Sequence, residues 1–111
     1  MRILFDQPTP LPLRDYLDRH EVRTASQERW DSFRNGELLA AAQAAGFDVF
    51  VTTDKNLNQQ NLRDRKIAIV VLGRQQWPEV RFHAQRVVEA INATTPGSYA
   101  EIDIPSGRRK T

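Results

Sequence analysis

Cysteine is absent from this chain, so disulfides, thiolate metal sites and a cysteine nucleophile are excluded together. Histidine is scarce: His20 and His83 stand far apart, with no acid or nucleophile at a telling spacing, and carry no chemistry in this reading. Zinc, which favours sulfur and imidazole ligands, is therefore poorly served. Long apolar runs are missing too. The longest, 67–72, falls well short of the roughly 20 residues that cross a bilayer, and the short apolar stretch before Asp6, Ile3 to Phe5, lacks the core of a signal peptide. A cytoplasmic location with no membrane partner is the expectation. Lysine occurs only at 55, 66 and 110 among 16 basic residues. The net charge of +2 and sequence pI near 9.4 permit a phosphate-bearing partner without demanding one.

What remains is an ordinary globular composition, with 40% hydrophobic and 27% charged residues over 111 positions. That length suits one domain, expected over 1–104, followed by a basic and disordered tail at 105–111. Five segments read as strands. Residues 2–5 and 48–53 are apolar runs that each end on an aspartate, Asp6 and Asp54. Residues 21–24 and 99–104 alternate, and 66–72 is the most hydrophobic run in the chain, as a central parallel strand should be.

Between the strands the spacing turns helical. Thr9 and Pro10 predict an N-cap and first helical residue for a helix to about His20, with Leu13, Tyr16 and Leu17 on its buried face. Ser26 predicts the cap of a helical turn carrying Trp30 and Phe33. Asn35 caps a helix whose buried face is Leu38, Ala41, Ala42 and Ala45, and Gly46 stops it. Residues 55–62 read as a short helix or lid. Trp77 and Pro78 open a last helix that buries Val80, Ala84, Val87, Val88 and Ile91.

Alternating strands and helices imply an α/β fold: three layers, α/β/α, around a mostly parallel sheet of four or five strands, most simply ordered 2-1-3-4-5. That order makes the strands ending in Asp6 and Asp54 neighbours, roughly 4.8 Å apart. Glu37, in the first turn of the helix leading into the Asp54 strand, is a third acid aimed at the same edge. Three carboxylates without sulfur suit Mg²⁺ or Mn²⁺, and the chemistry such a cluster serves is phosphodiester hydrolysis. Each acid also has a plain structural role: Asp6 bonding its own turn, Asp54 capping the next helix, Glu37 favoured by its helix dipole.

Ile3, Leu4, Phe5, Asp6 and Gln7, then Val22 to Ala25, Trp30, Asn35 to Leu39, Val51 to Leu57 and Ile69 to Leu72 together resemble the small bacterial PIN-like domain family, over residues 1 to about 104. The resemblance implies a Mg²⁺- or Mn²⁺-dependent ribonuclease acting on single-stranded RNA, with Asp6, Glu37 and Asp54 as metal-binding and catalytic residues. Many such proteins are toxins of toxin–antitoxin pairs, so it also implies an antitoxin protein as partner, and a homodimer, for which the 99–104 edge is available. PIN nucleases usually carry a fourth acid near the end of the next strand, and 72–76 supplies none.

Arg23, Lys55, Asn56 and Arg74 are the candidate contacts to RNA. Trp30 and Trp77 could stack bases, although each also suits packing. Two other functions compete. One is a PIN-like RNA- or protein-binding module with weak or no catalysis. The other is a receiver-type signalling domain phosphorylated on Asp54, which the single acid after the first strand disfavours.

Overall fold

The computed structural model describes residues 1–33, 35–54, 66–74 and 76–104. The expected segment at 55–62 and the tail at 105–111 lie outside the described residues.

Five strands form one sheet: β1 (Arg2–Phe5), β2 (Glu21–Thr24), β3 (Val49–Thr52), β4 (Ala68–Leu72) and β5 (Tyr99–Ile102). Their order is β2-β1-β3-β4-β5, and every neighbouring pair is parallel. The sheet is thus wholly parallel, and both its faces must be covered. Side-chain alternation sorts the core accordingly. Ile3, Phe5, Val49, Val51, Val70 and Leu72 face one side. Leu4, Phe50, Ile69 and Val71 face the other.

The first face is covered by a 3-10 helix (Leu11–Tyr16), which brings Leu13, and by α2 (Trp77–Val80) and α3 (Ala84–Asn92), which bury Val80, Ala84, Val87 and Ile91. A 3-10 turn at Arg81–His83 joins these two helices. The second face is covered by α1 (Asn35–Ala44) through Leu38, Leu39 and Ala42. The result is a three-layer α/β/α fold. No helix among the described residues is long and apolar enough to cross a membrane.

Three local expectations are corrected. The helix after β1 is shorter and tighter than its spacing suggested. Pro10, not Thr9, is its N-cap, because the Thr9 hydroxyl donates instead to the Val51 carbonyl at 3.0 Å. The 3-10 turn stops at Tyr16, a residue 45% exposed whose ring leans on Trp77, and Leu17 leaves helical geometry and fills the core in its place. The turn at 26–33 is not helical. Arg29 adopts a left-handed φ of 64°, and Trp30 N–H returns to the Ala25 carbonyl at 2.8 Å. On α1, Leu38 and Ala42 are buried as expected and Leu39 joins them, while Ala45, just past the helix end, is exposed rather than buried.

The end of α1 behaves as its sequence dictates. Gly46 has φ 87°, its N–H donates to the Gln43 carbonyl, and Phe47 N–H reaches back to that of Ala42, which closes the last turn and aims the chain into β3. A Cβ at Gly46 would touch only the Arg2 Nη1 end, at 3.4 Å. Gly46→Ala is therefore expected to cost about 1–2 kcal/mol through backbone strain, read as a lower urea midpoint with an unchanged slope.

Candidate functional site

The site begins where β1 and β3 run out. Asp6 continues the ladder by one step, its N–H donating to the Val51 carbonyl at 2.9 Å, so alternation turns its side chain to the α1 face, like that of Leu4. Thr52 ends β3 and faces the same way as Phe50. Their side chains meet: the fully buried Thr52 hydroxyl donates to Asp6 Oδ2 at 2.7 Å. Gln7 N–H donates to Asp6 Oδ1 at 2.8 Å. The Thr52 oxygen in turn accepts from Asp54 N–H at 3.1 Å.

A relay of Asp54 amide, Thr52 hydroxyl and Asp6 carboxylate thus ties the two strand ends together. Each carboxylate oxygen of Asp6 takes one donor, which fixes its rotamer. Asp6 is only 8% exposed. Among the described residues, no buried side-chain nitrogen or oxygen is left without a hydrogen-bond partner.

A cavity of about 260 Å³ opens at this edge. Asp6, Asp54 and Asp31 supply its carboxylates, Trp30 and Phe33 its aromatic wall, and Leu38 of α1 its apolar floor. The Asp31 backbone is drawn in by Gln7, whose Nε2 donates to the Asp31 carbonyl at 2.9 Å. Asp6 also borders a second cavity of about 250 Å³, shared with Thr9, Thr24 and Ser26.

The expected site residues separate into groups. Asp6 and Asp54 share the cavity. Glu37 sits in the first turn of α1 with an exposed side chain and is not part of that lining, whereas its neighbour Leu38 is. Among the described residues, no group of three histidines, aspartates or glutamates is placed to hold a metal ion. Arg23 pairs with Glu28 at 2.5 Å, and Arg74 Nε donates to the Ile104 carbonyl at 3.2 Å while lying 3.9 Å from Glu79. Neither lines the acid cavity. Lys55 and Asn56 lie outside the described residues.

Asp31 is the residue that the sequence did not single out. The signal available was Trp30, Asp31, Ser32, Phe33, an acid between two aromatics in the connection from β2 to α1. A further cavity of about 320 Å³ lies along the ends of β4 and β5 and is lined by Glu101 and Asp103. Alternation puts both acids on the α1 face, with Glu101 accepting from the Tyr99 hydroxyl at 2.8 Å. The end of β4 itself carries Gly73, packed so closely that a Cβ would stand 3.1 Å from the Ile102 carbonyl and the Ile104 amide. Acidity at this side of the sheet comes from the fifth strand.

Compared with protein-family models, with curated proteins and with solved structures, the chain gives no match.

Proposed function

We propose that this chain is a divalent-cation-dependent ribonuclease of the PIN-like kind, hydrolysing phosphodiester bonds in single-stranded RNA. The observation that carries the reading is the position of Asp6 and Asp54: at the ends of adjacent parallel strands, on one cavity, at the point where strand order reverses. Open α/β sheets build their ligand sites at such points.

The donors present fit the ion implied. They are all oxygen, and Mg²⁺ commonly binds through one or two carboxylates, with water and substrate phosphate completing its shell. Asp6 and Asp54 would hold it. When bound, such an ion polarises the phosphate and activates water. The remaining residues prepare the ground: Thr52 and Gln7 hold the Asp6 carboxylate in one orientation, and Leu38, Trp30 and Phe33 give the cavity an apolar side. A toxin role with an antitoxin partner follows only from the family resemblance.

Strand order alone does not choose this function, since receiver domains share the 2-1-3-4-5 arrangement. The choice rests on the acids: β1 ends in one aspartate rather than a pair, and that aspartate is tied to Thr52. The second reading, an RNA-binding module without catalysis, draws its support from Glu37 standing outside the cavity.

Incubating the protein with end-labelled single-stranded RNA tests all three. Cleavage that needs Mg²⁺ or Mn²⁺, stops with EDTA and falls at least about 10²-fold in Asp54→Asn is the expected result. Binding without cleavage under every metal condition would replace the nuclease with the module. Labelling of Asp54 by acetyl phosphate would replace it with the receiver.

A further inference from the structure

The cavity beside Asp6 has a second character that hydrolysis does not use. Trp30 and Phe33 present rings 6.3 Å apart and within 9° of parallel, and both line the cavity. The edge of Phe47, at 6.2 Å and 76°, braces Trp30 from the core side. Phe33 remains 39% exposed, although burying it would be favourable. Between the two aromatics, Asp31 adds an exposed carboxylate to the same lining, and Gln7 clamps its backbone.

These features select a ligand. Flat aromatic faces hold flat, unstacked rings, which is how single-stranded nucleic acid is recognised. A carboxylate accepts hydrogen bonds and repels phosphate, so the group beside Asp31 must present hydrogen-bond donors, which on a planar base are N–H groups. At about 260 Å³ the space is smaller than the roughly 300–1,000 Å³ clefts of drug-sized ligands, and takes one small planar group. Guanine fits best, because its ring and exocyclic N–H donors lie side by side and match the two oxygens of a carboxylate. Uracil offers a single N–H between two carbonyls.

We propose that Trp30, Phe33 and Asp31 form a nucleobase subsite, in which an unpaired guanine lies against the aromatic rings and donates to the Asp31 carboxylate, with its adjoining phosphate directed to the cation that Asp6 and Asp54 would hold. The polymer and its orientation rest on the nuclease reading; the base contact itself needs neither metal nor cleavage.

The chain has two tryptophans, so Trp77→Phe leaves Trp30 as the only indole reporter. In that background, with EDTA present, Trp30 fluorescence is titrated with three 2′-deoxy oligonucleotides that are otherwise abasic: one with a single guanine, one with a single uracil, one with no base. Guanine is expected to quench Trp30 and to bind at least 10-fold more tightly than uracil or the abasic strand. Phe33→Ala should weaken guanine binding by 10-fold or more, within the range for one stacked base. Asp31→Asn should erase the preference over uracil. Equal binding of all three strands, or binding untouched by Phe33→Ala in a variant whose circular dichroism is native, overturns the subsite. Guanine-dependent quenching in a protein that cleaves no RNA would retire the nuclease and leave the subsite standing. Cleavage with no dependence on the base would do the reverse.

Discussion

Asp6→Asn is expected to abolish metal-dependent RNA cleavage, a loss on the order of 10²-fold or more, while leaving the fold in place. The substitution keeps the shape of the side chain and removes its charge. Thr52 and Gln7 both donate to Asp6, and the amide oxygen of Asn still accepts one of those bonds. Asp6→Ala is a different experiment. It strips the acceptor from the buried Thr52 hydroxyl and from Gln7 N–H, each costing about 1–3 kcal/mol when left unpaired. Single-turnover cleavage measured beside thermal melting separates the two effects. Asn, which leaves one of the two donors without its acceptor, should be inactive with a modestly lower melting temperature, and Ala, which leaves both, inactive with a clearly lower one. An Asp6→Asn protein that still cleaves at the parent rate removes Asp6 from the chemistry and the proposal with it.

The largest effect on stability is expected at Phe50. It is fully buried in the middle of β3, on the α1 face, within the cluster of Leu4, Leu38, Phe47 and Ile69. Strand β3 is held between β1 and β4, so its backbone cannot shift to close the space. Phe50→Ala is expected to cost about 3–5 kcal/mol, a large share of the roughly 5–15 kcal/mol that holds a domain folded. Urea denaturation should show the midpoint falling by that equivalent, and the melting temperature should drop by about 10 °C or more. A loss below about 1 kcal/mol would mean that the α1 layer packs loosely and that the cavity wall beside it is not rigid.

How far the sequence spoke for the structure depends on which forces set each element. The strands and their order were legible because uninterrupted apolar runs such as 67–72 have few other uses, and parallel crossovers leave few topologies. Gly46 was legible for a similar reason: one conformation, one residue that accepts it. The connections were not. Thr9 has the character of an N-cap, yet its hydroxyl is taken by Val51, a partner 42 positions away that local spacing cannot reveal. Ser26 looked like a cap, but the left-handed Arg29 bends 26–33 into a turn.

The candidate site divides along the same line. Asp6 and Asp54 follow directly from strand ends, and the sheet delivers them to one cavity. Glu37 was placed by helical geometry alone, and its exposed side chain depends on how α1 rotates over the sheet, which Leu38 and Leu39 decide. Asp31 belongs to a loop whose path is set by Gln7 and Trp30 contacts, so no periodic pattern could have announced it.

The place of β1 in the sheet has a consequence for synthesis of the protein. Of the five strands it is the first made, yet it finishes in the interior of the sheet, Arg2 pairing with Glu21 and Ile3 with Val49. At about 5–20 residues per second, several seconds separate its emergence from the ribosome from that of β3 and β4. Throughout that delay Ile3, Leu4 and Phe5 have no neighbour on the β3 side. Through that delay the nascent chain carries three apolar residues that the finished molecule buries completely, the kind of transiently exposed surface on which unfinished chains aggregate.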